Sequence, residues 1–223
     1  MFNFIDRGKN KWIMLLPGWA TDYRIFDSLD LDYNYILPTT FEPENFENEI
    51  YNELKNKNIS KISILGWSMG GFAAVAFNQK YPDLVDNLIL ISVRKQYISD
   101  EIQKIKEMLK QNKKAYLFGF YSQCFEDKTA FKNFKNTLAK DYYKLSLKKL
   151  LSGLAYLKQA NLGKISKLEN FEKVTILHGS NDKIAPAEEA IEFSKLHNIS
   201  NFRLIENAGH NLLYETDIRR YFR

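Results

Sequence analysis

Short runs of branched apolar residues alternate along this chain with stretches whose apolar positions recur every three or four residues. Trp12-Ile13-Met14-Leu15-Leu16 reads as a buried strand stopped by Pro17-Gly18, and Tyr33–Leu37 as a second strand closed by Pro38. Phe46–Lys57 has helical spacing, with acidic residues in its first turn where a helix dipole favours them. A strand from Ile62 to Gly66 then leads into a helix over Met69–Lys80, which ends before Tyr81-Pro82. Leu88–Ile91 and Val174–Leu177 read as further central strands, Pro186–Leu196 as a helix, and Phe202–Ile205 as the last strand, with a terminal helix after His210. Strands separated by single helices predict a mainly parallel sheet with helices on both faces.

That alternation is interrupted once, between Lys95 and about Lys167, where strand signals are scarce and no proline occurs. Helical spacing is visible over Asp100–Gln111, Lys114–Phe125, Thr129–Leu138 and Asp141–Leu157. Without an evident linker, this segment is expected to form a cap over the carboxyl edge of the sheet rather than an independent domain. The expected division is a core of residues 1–93 and 168–223 with a cap of residues 94–167.

The chemistry enters at Leu65-Gly66-Trp67-Ser68-Met69-Gly70-Gly71. Strand, G-x-S-x-G and helix in succession describe a sharp turn that lifts a serine clear of the backbone. Small residues are needed at Gly66 and Gly70 because strand and helix approach closely there. A nucleophilic serine needs a base and an orienting acid. Asp182 follows the Val174–Leu177 strand, His210 follows Phe202–Ile205, and both loops open on the carboxyl edge where Ser68 emerges. The order Ser68, Asp182, His210 is that of α/β-hydrolases. His210 is the expected base and Asp182 its orienting partner. The backbone N–H groups of Trp19, after the first recognisable strand, and Met69 are expected to form the oxyanion site. His178 precedes the acid and abuts a strand end, so a structural role is expected for it. His197, near a helix end, is expected to be a dipole partner. Asp in a turn and His after Gly are common without any chemistry; the elbow and the order lift this pair above that background.

Composition narrows the setting. With 223 residues, 45% apolar and 26% charged, the chain suits one soluble domain, and no run approaches the length of a membrane span. The first dozen residues carry four charges and resemble no signal peptide, so a cytoplasmic location is expected. Cys124 is the single cysteine, expected to be a small buried side chain rather than a nucleophile. No metal or cofactor is expected. Charge is segregated: Arg94–Glu169 holds 17 Lys or Arg against 7 Asp or Glu, leaving 15 against 20 elsewhere. A basic cap attracts an acidic partner. Lys128, Lys132 and Lys135 recur on one predicted helix face, and Lys144, Lys148 and Lys149 lie on the next helix. Phe118, Phe120, Tyr121 and Phe125 are candidates for an apolar substrate channel beneath the cap, or for its ordinary core. No nucleic-acid-binding motif accompanies the lysines.

On these motifs the chain resembles the α/β-hydrolases with a helical cap, and among them the pimeloyl-acyl-carrier-protein methyl ester esterases of biotin synthesis. The likeness runs through Leu15-Leu16-Pro17-Gly18-Trp19, Leu65–Gly71, Ser152-Gly153-Leu154-Ala155-Tyr156-Leu157, the Asp182 loop and Ala208-Gly209-His210. It implies a carboxylic ester hydrolase that demethylates an acyl chain on an acidic acyl carrier protein, docked on the basic cap through residues such as Lys128, Lys132 and Lys135. Two positions depart from that family: Pro17 stands where relatives usually carry His, and Leu37-Pro38-Thr39-Thr40 lacks the usual Gly-rich loop. The same framework also suits a hydrolase of free small esters or thioesters, and a non-hydrolytic lyase or ligand receptor.

Overall fold

The computed structural model describes residues 2–43, 46–165, 168 and 171–222. Its centre is a seven-stranded sheet of β1 (Phe2–Ile5), β2 (Trp12–Leu16), β3 (Asn34–Pro38), β4 (Ile62–Trp67), β5 (Val85–Ile91), β6 (Val174–Gly179) and β7 (Asn201–Ile205). The order across the sheet is β1-β3-β2-β4-β5-β6-β7, parallel throughout except for β1. Every residue of β4 is buried, as are Leu88–Ile91 of β5, so these strands have no solvent face and read as unbroken apolar runs. From β2 the chain steps outward to β3 and then returns to the other side of β2 as β4. A crevice opens where the order reverses, between the carboxyl ends of β2 and β4.

The first strand is absent from the expectations. Phe2–Ile5 is four residues long, half-buried, and pairs antiparallel with β3 at the sheet edge, Phe2 opposite Pro38 and Ile5 opposite Tyr35. So short an edge segment has no periodicity to betray it. Its return to β2 is pinned by Arg7, whose guanidinium stacks 4.4 Å from the Tyr35 ring centroid and donates to the Tyr33 carbonyl at 3.0 Å.

Helix α1 (Phe46–Asn56) buries Phe46, Ile50 and Leu54 on one face and carries Glu47 and Glu49 in its first turn. It packs on α2 (Met69–Lys80), which lies against β2, β4 and β5. Helix α2 is buried nearly all round, so its apolar residues show no single face, and Gly70, Gly71, Ala73 and Ala74 let it sit close to the strands.

Between β5 and β6 the described chain is helical. Helix α3 (Ser99–Gln123) breaks at Asn112 (φ −153°, ψ 86°), whose side chain accepts from the Ala115 N–H at 3.0 Å and starts a fresh helix. It is therefore two helices joined at a sharp bend, as the separate expectations over 100–111 and 114–125 require. Asp127 caps α4 (Lys128–Phe134), accepting from Thr129 and Ala130, and the chain continues through a π-turn (Lys135–Ala139) into α5 (Lys140–Tyr142). The helix expected over Asp141–Leu157 begins later. Ser146 caps α6 (Leu147–Gln159), so Lys144 lies before it, paired with Asp141 at 2.7 Å. The boundary expected at Lys167 lies outside the described residues.

After β6 come α7 (Ala187–Leu196), packed on β6 and β7, and the short α8 (Leu212–Glu215). The core of the insertion is a ring cluster: Tyr121 on Phe134 at 5.3 Å, Phe125 on Phe134 at 5.2 Å, and Tyr214 of α8 on Phe134 at 5.8 Å between centroids. The insertion is tied to the sheet loops by hydrogen bonds from Tyr121 Oη to the Ala20 carbonyl (2.6 Å) and from Trp19 Nε1 to the Leu150 carbonyl (2.9 Å). Among the described residues no helix is long and apolar enough to cross a membrane.

Candidate active site

Ser68 stands between β4 and α2 with φ 55° and ψ −116°, a left-handed conformation that costs a residue bearing a Cβ. Its surroundings hold it there. Its N–H donates to the Ile91 carbonyl at 2.9 Å, and its carbonyl accepts from the Gly71 N–H at 2.9 Å. A Cβ at Gly66 would lie 2.5 Å from the Gly70 carbonyl oxygen, and one at Gly70 would lie 2.2 Å from that of Leu16. The two glycines of the motif are thus the contact between strand and helix that makes the turn possible.

His210 Nε2 lies 2.9 Å from Ser68 Oγ, and His210 Nδ1 lies 2.8 Å from Asp182 Oδ2. All three residues are buried, with His210 only 1% exposed. The acid is wrapped by its own loop: Asp182 Oδ1 accepts from the N–H groups of Ile184 and Ala185, each at 2.8 Å. Burial by itself raises the affinity of Asp182 for a proton. The facing His210 and the hydrogen bonds from His178 and His210 overcome this and hold its pKa far below the ordinary value of 3.8. Asp182 is therefore a carboxylate at neutral pH, and His210 Nδ1 keeps its proton toward it.

The histidine loop is positioned from three sides. Trp67 Nε1 donates to the His210 carbonyl at 2.9 Å. The Glu215 carboxylate of α8 accepts from Gly209 N–H at 2.5 Å and, through its other oxygen, from Glu126 and Asp127 N–H at 2.6 and 2.7 Å. One side chain thereby joins the base loop to the start of α4. At the end of β6, Gly179 lets the base loop approach, since a Cβ there would lie 2.3 Å from the carbonyl oxygens of Ala208 and Gly209.

Gly18 and Trp19 run beside the elbow: a Cβ on Gly18 would meet the Trp67 ring at 3.0 Å and Ser68 Cβ at 3.3 Å. The loop then turns through Ala20 at φ 60°. Trp19 is also a structural aromatic, buried, edge-on to Phe120 at 5.0 Å and fitted against Gly153, where a Cβ would touch its ring at 2.6 Å.

A cavity of about 490 Å³ opens in front of Ser68, between the two halves of α3 and α6. Ile102, Ile105, Met108, Tyr116, Phe120, Leu154 and Leu157 make its wall apolar, while Glu101, Lys104 and Lys183 supply charge. The channel expectation is corrected at three of four positions. Phe120 lines the cavity; Phe118 is 46% exposed and packs on Phe131, and Tyr121 and Phe125 belong to the insertion core. Helical spacing cannot separate these roles, because residues 117, 121, 124 and 125 and residues 116, 119 and 120 follow neighbouring stripes of one helix.

Sequence reasoning missed Tyr97, which follows β5 without any motif. It lines the same cavity as Ser68, and the Arg94 guanidinium lies 4.5 Å over its ring. Burial raises its pKa well above the usual tyrosine value. Cys124 is buried and unreactive by the same cause, since burial pushes its thiol up. His197 does cap α7, but burial lowers its pKa and favours the neutral ring, so it is no cationic partner for the helix dipole. Lys128, Lys132 and Lys135 are all exposed.

Residues 8–217 match the family described as the alpha/beta hydrolase fold. The chain belongs to that family. It is 25% identical over 162 residues to a human serine hydrolase, BPHL, an alignment that covers 71% of this chain and 52% of that protein. The chain thus spans about half the length of that curated relative. Among solved structures it resembles an esterase from Exiguobacterium antarcticum, with a TM-score of 0.74 at 21% identity, over 99% of this chain and 92% of the other. It also resembles the hydrolase MGS-M2 from a Medee basin deep-sea metagenome library, with a TM-score of 0.80 at 15% identity, over 100% of this chain and 90% of the other.

Proposed function

We propose that this protein is a serine carboxylesterase that works through an acyl-enzyme on Ser68. The observation that carries the reading is the unbroken relay from Ser68 Oγ through His210 to an ionised, buried Asp182 on a strained elbow facing a cavity. Ser68 Oγ attacks the ester carbonyl as its proton passes to His210 Nε2. The N–H groups of Trp19 and Met69 receive the developing oxyanion, each worth roughly 3 kcal/mol in the transition state. His210 returns the proton to the departing alcohol, then takes one from the water that cleaves the acyl-enzyme and gives it to Ser68 Oγ as the acid leaves, while Asp182 stabilises the imidazolium in both steps.

The apolar cavity suits an acyl chain several carbons long. The finer reading is a methyl ester of a pimeloyl chain presented by an acyl carrier protein. Its support is the resemblance in motifs, the segregated positive charge between Arg94 and Glu169, and the exposure of Lys128, Lys132 and Lys135. The test takes two stages. A fluorophosphonate probe is expected to label the wild type, and Ser68→Ala to lose labelling and to lower turnover of a short p-nitrophenyl ester by roughly 10³–10⁶-fold. Wild-type turnover in Ser68→Ala would remove the esterase reading. Pimeloyl methyl ester on carrier is then expected to be cleaved with a higher kcat/KM than the free ester, and equal values would remove the carrier.

A further inference from the structure

Two imidazoles share the carboxylate of Asp182. His178, at the end of β6 and fully buried, places Nε2 2.8 Å from the Ala185 carbonyl oxygen and 3.3 Å from Asp182 Oδ2. Both neighbours are acceptors, so Nε2 must carry the hydrogen and share it between them. Nδ1 is buried without a hydrogen-bond partner. Asp182 Oδ2 also receives His210 Nδ1, and Oδ1 receives the two N–H groups of Ile184 and Ala185. The acid therefore has four donors around it, and the loop that supplies two of them is clamped at Ala185 by His178.

We propose that His178 is a positioning residue, which holds Asp182 in the rotamer His210 needs by donating from Nε2 to the Ala185 carbonyl and to Asp182 Oδ2. The inference rests on the esterase reading of Ser68 and His210. It has one consequence: without the clamp, the loop of residues 182–185 loses its side-chain tie to β6 and the carboxylate can turn away from His210.

The other charged groups near this loop have partners of their own. Arg94 stays charged, bound to Glu101 at 3.0 Å and to Glu189 at 3.1 Å. Lys183 is paired with Glu126 at 2.9 Å, and Glu215 is bonded to backbone N–H groups.

Three measurements test this. In the wild-type protein, ¹⁵N-histidine spectra, assigned with His178→Gln, are expected to show His178 as the Nε2–H tautomer. His178→Phe is expected to lower kcat roughly tenfold or more with KM little changed. Where the phenylalanine variant does not fold, His178→Asn, whose amide is too short to reach Asp182, takes its place. His178→Gln, whose amide nitrogen stands near the place of Nε2, is expected to restore kcat. An Nδ1–H tautomer, a wild-type kcat in His178→Phe or His178→Asn, or a glutamine variant no better than these would overturn the proposal. The spectrum needs no turnover, so it separates this failure from one of the esterase reading, which Ser68→Ala tests.

Discussion

The carboxyl edge of the sheet and the helical insertion that faces it are organised by different forces. At the edge, buried side chains are held by directed hydrogen bonds: four donors on Asp182, and the Trp67 and Glu215 contacts on the His210 loop. In the insertion, position comes from ring packing around Phe134, and the lysines point outward. Directed bonds tolerate little displacement, whereas aromatic packing tolerates exchange of similar volumes. A chemical step can therefore stay constant at the edge while the insertion changes what reaches it.

Substitutions at the edge are expected to be the most damaging. Gly70→Ala drives a Cβ against the Leu16 backbone, which cannot move aside without breaking the β2–β4 pairing. A loss of about 3 kcal/mol is expected, seen as a fall in Tm of roughly 10 °C, with loss of fluorophosphonate labelling. A Tm within a degree of wild type would show that the elbow is looser than its geometry indicates.

Where the two regions meet, the effect is expected to be intermediate. Tyr121→Phe keeps the ring in the insertion core but removes the bond to the Ala20 carbonyl, leaving a buried acceptor beside the Gly18–Trp19 loop. About 1–2 kcal/mol is expected from chemical denaturation, with kcat falling more than KM changes. Equal stability would make the insertion independent of that loop.

The smallest effect on chemistry is expected at the outer face. Changing Lys128, Lys132 and Lys135 together to Glu is expected to leave stability and free-ester turnover unchanged, since all three are exposed. The same variant is expected to weaken cleavage of a carrier-bound ester, most strongly at low salt. Equal loss on both substrates would separate the lysines from docking.

The alternation of strands and helices and the meeting of Ser68, Asp182 and His210 were legible in the sequence, because local physics dictates them. Buried parallel strands need apolar runs, an elbow needs Gly66 and Gly70, and the order of loops along a parallel sheet places their ends on one edge. The bend at Asn112 was legible too, as a gap between two helical patterns. Tertiary structure alone decided the rest. Whether Phe120 or Tyr121 faces the cavity depends on how α3 folds on itself and on Trp19, since one turn of helix carries both. Tyr97 shares a cavity with Ser68, and Glu215 bridges two loops, only because segments distant in sequence meet there. His178 illustrates the limit. A histidine at a strand end says only that it is buried, and its partnership with Asp182 exists because the acid loop folds back over it.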